Sequence, residues 1–211
     1  MTSPTGQCPN CSAPITFAWP SAVQTVCAHC RSIVVRHDVD LRAVGIVSDL
    51  PPDSSPIQIG TRGRFEGDPF TVTGRIAYEY DNGGWNEWHL LFGDRSSGWL
   101  SDAQAEYAVS RLVEQPGRLP TADEATVGRR YTFGSVSLQV TTRTTAKYRG
   151  VDGELPFEYW DKSAVLFVDM RSPAAEFATL DFSEDPALLF LGRFVGYDEL
   201  SLEGVRRFEG W

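Results

Sequence analysis

Phe70-Thr71-Val72-Thr73-Gly74-Arg75-Ile76-Ala77-Tyr78-Glu79-Tyr80 runs into Asp81-Asn82-Gly83-Gly84 and then Trp85-Asn86-Glu87-Trp88-His89-Leu90-Leu91-Phe92. In the first run every even position but Gly74 is apolar or aromatic, and the odd ones carry Thr, Thr, Arg, Ala and Glu. This is the period-two pattern of a half-buried strand. The Asp-Asn-Gly-Gly segment reads as a turn, the even positions resume as Trp88, Leu90 and Phe92, and a second turn from Gly93 to Gly98 leads into Trp99-Leu100. The stretch therefore predicts a β-meander. Keeping Tyr78 and Trp88 on one face sets Tyr78 opposite Trp88 and Ile76 opposite Leu90. The loop is then Asp81 to Trp85, and Glu79 lies directly opposite Glu87, a like-charge pair.

Strand patterns recur further on, at Val136 to Val140, at Thr144 to Tyr148 ahead of a Gly-rich turn, and at Ala164 to Asp169, Phe177 to Phe182 and Leu188 to Val195. Ser101 to Glu114 fits a turn followed by a strand better than a capped helix. The two halves resemble each other. A shift of 68 places Gly60, Arg62, Phe65 and Tyr80 on Gly128, Arg130, Phe133 and Tyr148, and a shift of 67 places Asp94, Arg95, Ser96 and Asp102 on Asp161, Lys162, Ser163 and Asp169. The same alignment sets Lys147 at the place of Glu79 and Glu154 at that of Glu87. The expected fold is mostly β: a small zinc ribbon (1–47), a Pro- and Ser-rich linker (48–56) and a duplicated β-meander domain (57–211, halves about 57–114 and 121–211) forming a sandwich or barrel.

All four cysteines lie near the N-terminus, as Cys8-Pro9-Asn10-Cys11 and Cys27-Ala28-His29-Cys30. Each Cys-x-x-Cys turn aims two thiolates at one point, so two turns complete a tetrahedral S4 shell, and the spacing is that of a zinc ribbon. Four thiolates leave no open position, which makes a structural Zn2+ the expected cofactor; a redox dithiol pair and rubredoxin-type iron are the alternatives. Ile15 to Trp19 and Val23 to Val26 are expected to pair around Pro20-Ser21, with Ser32 to Arg36 as a third strand. On this reading the metal stabilises only the ribbon.

The formal net charge is -9 and the pI about 4.8. Residues 1–42 carry three arginines against two aspartates, a net of +1 (3 minus 2), so neither part has a basic stripe and a nucleic-acid partner is disfavoured. No signal-peptide pattern or membrane-length apolar run is present, so the expected location is the cytoplasm, without membrane insertion.

Phosphate-binding loops, dinucleotide fingerprints, His-Glu-x-x-His and Gly-x-Ser-x-Gly are all missing. Among the three histidines only His89 is available to the main domain as a general base. Arg75, Glu79, Glu87 and His89 are expected to project from one face of the central hairpin, where they could hold a ligand, a divalent ion or acid/base chemistry. A solvated strand face of balanced charges is the plainer reading. Trp85, Trp88 and Trp99 pose the same choice between an aromatic cage for a cation and core packing.

Gly84-Trp85-Asn86-Glu87-Trp88-His89-Leu90-Leu91, Gly98-Trp99-Leu100, Gly153-Glu154-Leu155-Pro156, Phe177-Ala178-Thr179-Leu180-Asp181-Phe182 and Phe190-Leu191-Gly192-Arg193-Phe194 together resemble the bacterial family catalogued as domain of unknown function 4178. The likeness covers roughly Ile57 to Leu202, and members can carry a zinc ribbon ahead of the domain. It implies no assigned activity, only a setting near membrane-stress, channel and polyamine genes. The reading is a non-enzymatic binding or scaffolding protein with an unidentified protein partner. The alternative is an enzyme using Glu79, Glu87 and His89, for instance in metal-assisted hydrolysis.

Overall fold

The computed structural model describes residues 4–37, 40–47, 50, 54–158 and 163–208. Two short strands, β1 (Thr5–Gln7) and β2 (Pro14–Thr16), pair with each other, and β3 (Gln24–Val26), β4 (Ser32–His37) and β5 (Asp40–Ile46) form a three-stranded sheet. The expected hairpin between Ile15–Trp19 and Val23–Val26 is not formed. Each strand instead pairs across its own cysteine turn, β1 with β2 and β3 with β4, because the Cys-x-x-Cys turn already reverses the chain and sets the register of its flanks. Ser32–Arg36 does lie in a strand, and β5 beyond it was not expected.

Ten further strands make one sheet: β6 (Arg62–Phe65), β7 (Asp68–Tyr80), β8 (Gly83–Phe92), β9 (Ser97–Ala103), β10 (Glu106–Leu112), β11 (Arg130–Phe133), β12 (Val136–Gly153), β13 (Ala164–Arg171), β14 (Glu176–Asp181) and β15 (Leu188–Val195). Two successive meanders, β6 to β10 and β11 to β15, join edge to edge through β10 and β15. A second junction between β7 and β12 closes β7, β8, β9, β10, β15, β14, β13 and β12 into a barrel-like ring. The sheet is thus mostly β as expected, and no α-helix occurs among the described residues. Ser101 to Glu114 holds the end of β9, a tight turn at Gln104-Ala105 with both φ positive, and β10.

One face of the ring lines its interior. On the other face Phe70, Val72, Trp88, Leu90, Leu100 and Val109 pack under Ile57 and Leu200, while Leu138, Val140, Val168, Met170, Leu180 and Leu189 pack around Ala125. Both faces are therefore largely buried, so polar residues on these strands are not automatically solvent-facing. Of the expected linker, residues 48, 49 and 51–53 lie outside the described residues. Its end is docked: Ser55 is buried and accepts the Ile57 N–H at 3.1 Å, and Arg206 N–H donates to the Pro56 carbonyl at 2.7 Å.

Backbone geometry repeats between the meanders. Gly60 and Gly128, both at positive φ, donate to the Val72 and Val140 carbonyls at 2.8 and 2.9 Å, and bulges at Val72/Gly74 and Val140/Thr142 follow. Each of these pairs stands 68 apart (for example 140 minus 72). The 67-residue register does not continue it. Asp161 and Lys162 lie outside the described residues, and Asp102 is in β9 whereas Asp169 is in β13. Opposite the bulges, Leu90 faces Val72 and Met170 faces Val140, so the matching residues are now 80 apart (170 minus 90). The extra residues lie between Tyr148 and Ala164.

Part of this additional length extends β12. Residues 149–153, read as a Gly-rich turn, continue β12 and pair with β7 up to Gly153 opposite Gly74. Glycine is required here because the chains approach closely. A Cβ on Gly74 would sit 2.1 Å from the Glu154 carbonyl oxygen, and one on Gly153, whose φ is +67°, would sit 2.3 Å from the Thr73 carbonyl. Gly74→Ala should therefore destabilise the protein by about 1–3 kcal/mol in denaturant unfolding. Gly45→Ala, whose Cβ would meet only Ile33 Cδ1 at 3.8 Å, should change the midpoint little; equal effects would refute this account.

Candidate functional sites: a four-cysteine cluster and a barrel cavity

The two cysteine turns are built alike. Cys8 N–H donates to the Ala13 carbonyl and Ser12 N–H to that of Cys8, while Cys27 N–H donates to Ser32 and Arg31 N–H to Cys27. Ser12 and Arg31 both take left-handed φ, 60° and 58°, which turns each chain back under its sulfurs. Cys8, Cys11, Cys27 and Cys30 are brought together, all four Sγ lying within 4.8 Å of one another. Cys8 and Cys30 Sγ are 3.6 Å apart, and Cys11 and Cys27 Sγ 3.7 Å. A disulfide needs about 2.05 Å. The S···S edge of a tetrahedral shell at about 2.3 Å from the ion is about 3.8 Å. The cluster thus fits a structural metal site. Outside it, Asn10 Nδ2 donates to Ser32 Oγ at 3.0 Å, which leaves the buried Ser32 hydroxyl facing Cys30 Sγ at 3.2 Å.

This module is seated on the ring. Leu155 and Gln24 exchange backbone hydrogen bonds, the Val23 N–H donates to the Leu155 carbonyl, and the Ala18 N–H donates to Glu154 Oε1 at 2.7 Å. Ile33 and Val47 share a core with Tyr78, Trp99, Tyr148 and Leu155. Trp19 stacks on the His89 ring with centroids 5.2 Å apart. The ribbon is therefore packed against the barrel by backbone, side-chain and ring contacts, so a metal at the cysteine cluster is expected to stabilise more than the ribbon alone.

The four hairpin residues do not share a face. The loop is only Asp81-Asn82, with Tyr80 opposite Gly83, so Ile76 pairs with Glu87 and Tyr78 with Trp85. Compared with the expected five-residue loop, this odd shift exchanges the faces of β8 relative to β7. Gly84 permits it, since a Cβ there would lie 2.4 Å from the Tyr78 carbonyl oxygen. Arg75 and Glu79 point one way. Arg75 Nε donates to Asn86 Oδ1 at 2.9 Å with its guanidinium 5.1 Å over the Trp88 ring, and Glu79 faces Lys147 across the seam and lies 3.5 Å from Arg149. Glu87 and His89 point the other way. The Glu79–Glu87 like-charge pair does not exist, and Glu154 bonds to the ribbon rather than to Lys147.

His89 is fully buried between Trp19 and Trp99, with Nδ1 2.6 Å from Thr73 Oγ1 and Nε2 2.6 Å from Ser97 Oγ. Burial lowers its pKa to about 3, so the ring is neutral and both nitrogens are occupied. Trp88 packs into the core on the opposite face from Trp85 and Trp99, so the three tryptophans form no common cage.

Glu87 instead faces a cavity of about 1140 Å3 within the ring, lined among others by Tyr78, Trp99, Ser101, Phe167, Asp181 and Phe190. Ser101 Oγ lies 2.9 Å from both Glu87 oxygens, and Trp85 Nε1 donates to Oε1 at 2.9 Å. Burial pushes Glu87 up to about 8 against those two bonds, and the charges of Asp169 and Asp181 push it the same way. Burial raises Asp169 and Asp181 as well; Asp169 accepts from Thr179 Oγ1 at 2.7 Å. Sequence reasoning passed over Asp169, Asp181 and Ser101. The available signal was the alternation in Phe177-Ala178-Thr179-Leu180-Asp181, which puts an aspartate on the same face as Thr179.

Residues 58–196, well over half of the chain, match the family model described as Domain of unknown function (DUF4178). The chain belongs to this family. No curated protein and no solved structure matches it. The DUF4178 match covers the ring, including Glu87, Asp169 and Asp181, and leaves the cysteine cluster outside. Among the described residues no helix is long and apolar enough to cross a membrane.

Loss of the metal, by chelation or Cys11→Ser, should lower the melting temperature of the main transition by several degrees along with ordering of the ribbon. An unchanged main transition in calorimetry would show that the Trp19 and Leu155 contacts contribute nothing. Glu87 makes a separate prediction about pH. With an ordinary value of 4.5 in the unfolded chain and about 8 in the fold, the folded state holds more protons between these limits, so stability falls as pH rises from 4.5 to 8. Glu87→Gln should leave the melting temperature near pH 4.5 unchanged and raise it by on the order of 5 °C at pH 8; equal shifts at both pH values would contradict the burial of an ionisable group.

Proposed function

We propose that the protein is a non-enzymatic binding or scaffolding protein whose ligand site is the cavity of the ring. The observation that carries this reading is the cavity itself, about 1140 Å3 and lined by Tyr78, Trp99, Phe157, Phe167 and Phe190 with a few polar groups. Ligand pockets typically span about 300–1,000 Å3 and share that mixture of aromatic wall and sparse polar anchors. The cysteine site carries Zn2+ in this proposal, as four thiols from two Cys-x-x-Cys turns close the tetrahedral shell of a structural zinc site. Its role is to hold the ribbon against β7, β8 and the Glu154-Leu155 segment.

The sequence and its family resemblance support a bacterial cytoplasmic setting, a protein partner, an origin of the two meanders by internal duplication, and a link to membrane-stress or polyamine-related systems. Nucleic acid stays outside the proposal, given the net charge of -9. The enzymatic alternative now rests on Glu87 alone, since Glu79 is on the other face and His89 has both ring nitrogens engaged.

A neutral apolar fluorophore, N-phenylnaphthylamine, tests the reading. It should bind at one site per chain, and Leu112→Trp or Ala164→Trp, substitutions at lining residues with exposed side chains, should weaken it several-fold without altering the melt. Failure to bind, or binding indifferent to both substitutions, would overturn the cavity as the ligand site.

A further inference from the structure

The cavity wall is chemically uneven. Glu87 and Asp181 line it from β8 and β14, Asp169 lies two residues beyond the lining Phe167 on the same face of β13, and the cation on that face, Arg171, is committed to Glu106 by two bonds of 2.8 and 2.6 Å. Arg42 is the sole cationic residue lining the cavity among the described residues, and it lies 3.6 Å from Glu158. Glu87 therefore has two hydrogen-bond donors, Ser101 and Trp85, but no cationic partner among the described residues.

Beside it the rings are arranged as a wall. Tyr78 stacks on Trp85 at 4.9 Å, and Phe167 meets both edge-on at 5.0 and 5.4 Å. Trp99 and Phe157, 5.8 Å apart, add a second aromatic surface to the same cavity. A half-buried carboxylate next to aromatic faces attracts an ammonium twice, by direct charge pairing and by the ring quadrupoles, and both effects are stronger there than in open solvent. Once Glu87 is ionised, a neutral ligand would leave its charge without a counter-charge and an anionic one would be repelled.

Building on the cavity as ligand site, we propose that it takes an organic cation, an ammonium group seated against Glu87 with its apolar body along Tyr78, Phe167 and Trp99. Asp181, directly opposite Phe167 across β13 and β14, places a second carboxylate along that path. Ser101 keeps Glu87 in position, its hydroxyl 2.9 Å from each carboxylate oxygen.

Three probes of one shape and different charge, phenylbutylammonium, phenylbutanol and phenylbutanoate, separate this inference from the reading it rests on. Calorimetric titration of the full chain at about pH 8.5, where most of Glu87 is ionised, should give the ammonium at least about tenfold tighter than the alcohol, and no detectable binding of the carboxylate. Glu87→Gln should bring ammonium and alcohol to within about twofold of each other, and Asp181→Asn should reduce the preference by about threefold. Alcohol bound as tightly as ammonium, or carboxylate bound tightest, would overturn the cation while leaving the cavity as a binding site. Binding of none of the three would overturn both. The comparison among probes on the unaltered chain needs no variant to fold.

Discussion

The antiparallel seam between β7 and β12 is the contact on which the remaining architecture depends. From Lys147 opposite Glu79 to Gly153 opposite Gly74, it joins the two meanders a second time and turns an open sheet into a ring. Edge strands expose unpaired backbone groups, and closing the ring removes that liability from its two longest strands. The seam tolerates no side chain at Gly74 or Gly153, where carbonyl oxygens occupy the space of a Cβ. Because β12 must run on to make it, the Glu154-Leu155 segment emerges where the ribbon can bond to it.

Metal site and cavity are consequently linked through the same few residues. Trp19 follows the first cysteine turn and stacks on His89; His89 meets Trp99, and Trp99 lines the cavity. An ion bound by the four cysteines would, through these contacts, bear on one wall of the cavity, although the cluster lies outside the DUF4178 match. The neutral state of His89 belongs to this arrangement, since an imidazolium buried between two indoles would lack any counter-charge on its two hydroxyl partners, Thr73 and Ser97. Glu87 is the opposite case, a carboxyl in the cavity wall whose ionised form desolvation makes costly.

Much of this was legible from residues alone. The Cys-x-x-Cys pair determined its cluster because tetrahedral thiolate geometry needs only two local turns. Period-two alternation determined β7, β13, β14 and β15 as strands, and the 68-residue likeness of Arg62–Phe65 and Arg130–Phe133 corresponds to two equivalent hairpin arms. Which face each polar residue takes was decided only by tertiary structure. A two-residue loop instead of five exchanges the faces of β8 relative to β7 from Gly74 to Tyr80, and the bulge at Val72/Gly74 restores them beyond; neither is encoded in alternation within a single strand. Burial of both faces then turned Glu87 from a surface charge into part of an interior wall and separated it from Arg75 and Glu79. The company of Asp169, Asp181, Phe167 and Trp19 arises from ring closure and from the seating of the ribbon, contacts between residues tens to more than a hundred positions apart that no local pattern specifies.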